Sequence, residues 1–101
     1  MSQPTQIAAD TRQALLERAA HAEGSAWVDW WRRELRRQKR TAAGGWPGTM
    51  SEARVRVARR IAVELGPAFE ANRAELEVAA RAAYGVARRA WNETCEPEGS
   101  D

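Results

Sequence analysis

TAAGGWPGTMSEARVRVARRIAVELGP, residues 41–67, divides into a loop, a capped helix and a stop. The first eight residues hold three Gly and a Pro, the composition of a connection. Trp46 precedes Pro47 and is held to an extended backbone. Thr49-Met-Ser-Glu52 then matches the S/T-x-x-E capping box, in which the first hydroxyl and the fourth residue satisfy each other's end of a new helix. Gly66-Pro67 closes it: a glycine stops one helix and a proline opens the next. Met50, Val57, Ala58, Ile61 and Leu65 recur at helical spacing and give this helix its apolar face. Arg54 falls inside that face, while Arg56, Arg59 and Arg60 lie on the other side.

Outward from this stretch the periodicity stays helical. Pro67 to Asn92 reads as one long helix, with Phe69, Leu76, Ala80, Ala83, Tyr84, Ala87 and Trp91 along a seam whose small members allow close approach of another helix. Glu77 and Arg81 make a supporting i,i+4 pair, and Glu75 and Glu77 point to different sides. Upstream, Ser25 to Arg40 turns Trp27, Trp31 and Leu35 one way and Arg33, Arg36, Arg37 and Arg40 the other. Val28 and Trp30 lie at the edges. A first helix, Thr5 to Ala22, carries a thin stripe of Ala8, Thr11, Leu15, Ala19 and Ala22. Gly24-Ser25 interrupts between these two, with Ser25 as a new N-cap; the alternative is one helix running through with a kink.

The fold expected is therefore all-α: a small four-helix domain with a long C-terminal helix. The expected boundaries are a disordered N-terminus over 1–4, a single helical domain over 5–92 and an acidic flexible tail over 93–101. No segment alternates apolar and polar residues over a strand length. Of the 101 residues 44% are apolar, but 21 of those are Ala, so five Trp carry much of the burial. A core this thin makes self-association through the C-terminal helix a natural expectation.

Composition also bounds the function. One cysteine, Cys95, permits no internal disulfide and fits a reducing compartment. The N-terminal residues do not read as a signal peptide, and no stretch approaches the ~20 apolar residues of a membrane span, so a cytoplasmic location without a membrane partner is expected. His21 stands alone, with no Cys or His at ligand spacing, so neither a zinc site nor Ser-His-Asp chemistry is supported. Gly44-Gly45 lacks the Lys-Ser/Thr that completes a nucleotide-cradling loop. The expectation is a protein that is not an enzyme and needs no cofactor or metal.

The net charge of +2 conceals a strong asymmetry. Residues 32–60 contain ten Lys and Arg against Glu34 and Glu52, a local net of +8, while the rest of the chain sums to −6. Such segregation suits an anionic partner. Arginine forks grip phosphate oxygens and stay charged at every relevant pH. The nucleic-acid-binding set expected on this ground is Arg33, Arg36, Arg37 and Arg40, with Arg32 and Lys39 flanking. Thr49 and Ser51 would sit at a helix start that favours anions, and Arg56, Arg59 and Arg60 would extend the track. The two basic helices could act like a helix-turn-helix pair on DNA, which is favoured over RNA, although their connection of about eight residues exceeds the usual three to four.

Bland readings stand beside these. A basic face can be solvated without a partner, and Trp27 and Trp31 are expected to be core. Trp30 is expected at the edge, partly exposed. Trp46 is either a recognition tip or a lid folded back on the helices. Arg54 is expected to pair with Glu34 across the two helices. The rival function is a protein–protein module, an adaptor, assembly subunit or inhibitor, whose basic strip and Trp30 or Trp46 dock an acidic surface.

Overall fold

The computed structural model describes the backbone of residues 4–40 and 45–95, and the side chains of residues 11–40 and 45–93. It is all-helical, with α1 over Pro4–Arg37, α2 over Met50–Leu65 and α3 over Arg73–Cys95. Among the described residues there are three helices, not the four expected. The expectations of disorder over 1–4 and of a flexible tail concern residues largely outside the described set, except that Pro4 opens α1 and Glu93–Cys95 complete α3.

The correction turns on Gly24. A side chain there would place its Cβ 2.8 Å from the Ala83 carbonyl oxygen and 2.8 Å from Val86 Cβ. Gly24 therefore marks a close approach of α1 and α3, not a break. A glycine inside a helix costs about 1 kcal/mol against alanine. That cost is offset here by contact between two helix surfaces that no larger residue permits. The 34 residues of α1 span about 51 Å at the usual rise, which accounts for the molecule's 55 Å long dimension.

Side-chain contacts set the helix directions. Arg12 meets Glu75, Gly24 meets Ala83, and Arg32 reaches the Ala90 carbonyl, so α1 and α3 run parallel. Trp27 meets Glu52 while Glu23 meets both Arg56 and Arg60, so α2 runs antiparallel to them.

Three of the helix ends have a clear local cause. At the end of α1 the Arg40 amide donates to the Leu35 carbonyl (2.8 Å) and the Lys39 amide to Arg36 (3.0 Å). This is the Schellman arrangement, with Lys39 in the left-handed position at φ 57°. Thr49 is the N-cap of α2 as the capping box indicated, its hydroxyl accepting from the Glu52 amide at 3.2 Å. The start of α3 differs from expectation. Pro67 does not open it; residues 66–72 form a connector. The helix starts after Asn72, whose side chain accepts from the Glu75 amide (2.8 Å) while the Glu75 carboxylate accepts from the Asn72 amide (2.9 Å). That reciprocal pair satisfies two helix-end donors at once. The Arg12 guanidinium lies 4.1 Å from the centroid of Phe69 in this connector, and its hydrogen bond to Glu75 fastens α1 to the start of α3.

The core has two parts. One gathers Leu16, Ala19, Ala20, Val57, Ile61, Ala79 and Ala83. The other gathers Trp27, Val28, Leu35, Ala53, Ala80, Ala87 and Trp91. The stripe expected on the first helix is displaced: Leu16 and Ala20 face inward, Leu15 is half-buried and Thr11 is exposed. Ala58, expected on the apolar face of α2, is exposed, and Ala53 takes the inner position. Among the described residues no helix is long and apolar enough to cross a membrane.

Candidate nucleic-acid interface

The last turns of α1 carry most of the expected phosphate-binding set. Arg33, Arg36, Lys39 and Arg40 are exposed. Among the described residues none of the four forms an ion pair. The Arg40 guanidinium donates to the Gln38 side chain at 3.1 Å. Arg37 differs, being held by Glu34 three residues earlier. Hydrogen bonds from Arg37 and then Gln38 keep the Glu34 carboxyl below its ordinary value. Arg32 turns inward, with its guanidinium 5.7 Å from the Trp91 ring centroid. The Schellman turn at Lys39 keeps the cationic residues of 33–40 on one compact end.

The second half of the expected track is arranged otherwise. Arg56 and Arg60 both reach back to Glu23, at 2.6 and 2.7 Å. Glu23 is 6% exposed and is the buried charged side chain of the described core. Arg60 also bonds Glu64 at 2.6 Å, and its pKa is raised mainly by the hydrogen bond to Glu23. Two guanidinium groups thus satisfy one buried carboxylate, and α2 is locked to α1 through charge. Removing one side of such a buried group leaves the other uncompensated, at a cost of about 3–5 kcal/mol in well-buried cases. Arg59, between them, is exposed without an ion pair among the described residues.

The Arg54–Glu34 pair expected from the sequence does not form. Arg54 bonds Glu77 on α3 at 2.8 Å, and Glu77 also holds Arg81 at 3.3 Å. Glu77 is lowered from its ordinary value chiefly by Arg54. Arg54 points towards α3 because α2 packs against both other helices, a placement that sequence spacing does not convey. Glu34 sits one turn before the end of α1 and meets Arg37 instead.

Thr49 serves as cap, its hydroxyl occupied by the Glu52 amide, and Ser51 is exposed beside it. The helix-turn-helix comparison gains no geometric counterpart. α1 and α2 are antiparallel, and the connection runs from residue 38 to residue 49, far longer than the turn that motif uses.

The tryptophans divide between core and edge. Trp27 is fully buried. Trp46 folds back as a lid, edge-on to Trp27 at 4.9 Å and to Trp91 at 5.4 Å. Gly48 permits this: a Cβ there would collide with the Trp46 ring and approach Trp27 Cζ2 to 2.7 Å. Trp31 is half-buried, and Trp30 is 38% exposed and edge-on to it at 5.1 Å. The Arg56 guanidinium stands 5.7 Å from the Trp30 centroid.

Sequence reasoning missed Glu23. Its signal was its position: seven residues after Leu16 and four before Trp27, it lies on the buried stripe once that stripe is placed on Leu16. Among the described residues no group of three or more His, Cys, Asp and Glu side chains is gathered that could hold a metal ion. Comparison with family models, curated proteins and solved structures returned no match to this chain.

Proposed function

We propose that this chain is a non-enzymatic nucleic-acid-binding protein, regulatory or architectural, that contacts DNA through the cationic end of α1. The observation that carries the reading is the contrast between two sets of arginines. Arg54, Arg56 and Arg60 are committed to carboxylates of the bundle's own helices, Arg56 and Arg60 to the buried Glu23 and Arg54 to Glu77 at the surface. Arg33, Arg36, Lys39 and Arg40 crowd one exposed end with no acid holding them among the described residues. Like charges placed this close raise the local potential and cost stability unless a polyanion neutralises them. Binding would then be driven by release of phosphate counterions. The contact set narrows to Arg33, Arg36, Lys39 and Arg40, with Arg37 contributing once it exchanges Glu34 for a phosphate. Arg56 and Arg60 serve the fold in this reading.

A second reading is favoured by Trp30, an exposed indole next to the same strip. An acidic protein surface with a pocket for this ring would use the two together, since aromatic and arginine anchors dominate such interfaces.

The test is binding of mixed-sequence duplex DNA and RNA over a salt series, with an Arg36→Glu/Arg37→Glu variant alongside. The expected result is steep weakening with salt and at least a tenfold loss in the variant. Absence of binding at low salt rejects the nucleic-acid reading in favour of the protein partner.

A further inference from the structure

We propose that two copies of this chain pair through the groove between α1 and α3, with the two α3 helices antiparallel about Ala82. This inference is independent of any nucleic-acid role. The groove lies on the side of the α1–α3 pair away from α2 and has a volume of about 350 Å³. Its lining includes the buried Leu16, Ala20 and Ala79, the half-buried Ala82 and the exposed Val78, together with Arg12, Gln13, Glu17 and Glu75. Val78 is 68% exposed, a large apolar side chain beside an apolar trough. In a four-helix bundle a fourth helix would fill this position.

The pattern of α3 selects the occupant. Glu75, Val78, Ala82, Gly85 and Arg89 recur at alternating spacings of three and four, which is one seam of a packed helix pair. The seam is apolar or small in its middle and carries opposite charges at its two ends. A parallel pairing of two such seams sets Glu75 against Glu75 and Arg89 against Arg89. An antiparallel pairing about Ala82 instead sets Glu75 beside Arg89 of the partner subunit, and by symmetry does so twice. The same register lays Val78 over Gly85 and Val86 of the partner subunit. Gly85 is open there: a Cβ on it would meet only the Arg89 guanidinium, at 3.7 Å.

The charged ends have capacity for this contact. Arg89 is exposed and forms no ion pair among the described residues. Glu75 accepts from Arg12 at both oxygens and from the Asn72 amide at Oε1. A carboxylate offers about four acceptor positions, so Oε2 can take a further donor.

The experiment is sedimentation equilibrium of the nuclease-treated full chain over roughly 1–100 μM. Wild type, Val78→Asp and Arg89→Glu are compared, with circular dichroism confirming equal helicity. Both positions are exposed in the single chain, so neither substitution removes a core contact; Arg89→Glu decides alone if Val78→Asp loses helicity. The expected result is a wild-type dimer whose dissociation constant rises roughly tenfold or more in each variant. The Arg89→Glu effect should shrink as salt is raised. A monomer throughout the range, or a dimer indifferent to both substitutions, overturns the proposal.

Discussion

At the scale of single residues, the structure depends on a few positions where chemistry overrides ordinary preference. Lys39 occupies a left-handed backbone position at φ 57° that glycine normally takes. Lys39→Gly is therefore expected to stabilise the fold by about 0.5–1 kcal/mol in urea denaturation, while lowering DNA affinity because a cation is lost from the α1 end. Glu23 works in the opposite sense. Replacing it by Ala strands Arg56 and Arg60, both about one-quarter exposed, and should cost about 3 kcal/mol of stability; Glu23→Gln should recover part of that. Three further carboxylates, Glu34, Glu75 and Glu77, are held below their ordinary value of 4.5, chiefly by Arg37, Arg12 and Arg54 respectively. A depressed pKa means their stabilisation is fully present above about pH 4.5. It is lost as the pH falls through the lowered values. An acid titration followed by circular dichroism should show stability flat above that pH and declining below it.

At the scale of elements, the instructive case is Gly24. Read by itself, Gly24-Ser25 is a helix break, because glycine is a poor helix former and serine a good cap. What decides the matter is α3, sixty residues downstream in sequence, whose Ala83 and Val86 leave no room for a Cβ. Gly24→Ala tests this directly. Helix propensity alone forecasts a gain of about 1 kcal/mol. The close approach forecasts a net loss of about 1–3 kcal/mol as α1 and α3 are forced apart. The loss is expected, read as a lowered denaturation midpoint. The start of α3 is the complementary case. Pro67 was the louder signal, but Asn72 and Glu75 form the N-x-x-E pair that sets the boundary, a pattern readable in the sequence had asparagine been weighed as a cap. Asn72→Ala should cost about 1 kcal/mol.

At the scale of the whole molecule, the helical class, the α2 cap, the Glu77–Arg81 pair and the buried Trp27 were all legible, because each rests on local spacing. The helix count, the partners of Arg54 and Glu34, and the inward turn of Arg56 and Arg60 were not, because each depends on which helix lies across the core. The charge asymmetry along the chain was real but did not translate into one basic face. Parallel α1 and α3 with antiparallel α2 set Arg56 and Arg60 opposite Glu23, while Arg33, Arg36, Lys39 and Arg40 stay exposed at the end of α1, as do Arg59 on α2 and Arg89 on α3.

That division of the arginines is the claim on which the functional account rests. It is tested most directly by ¹⁵N–¹H correlation spectra of the labelled protein titrated with short duplex DNA at low salt. The account expects shifts and broadening confined to residues 32–40 and their neighbours at that end, with the Arg56 and Arg60 side-chain signals unmoved. Perturbation centred on the outward face of α2, spread evenly over the bundle, or absent at saturating DNA would contradict it.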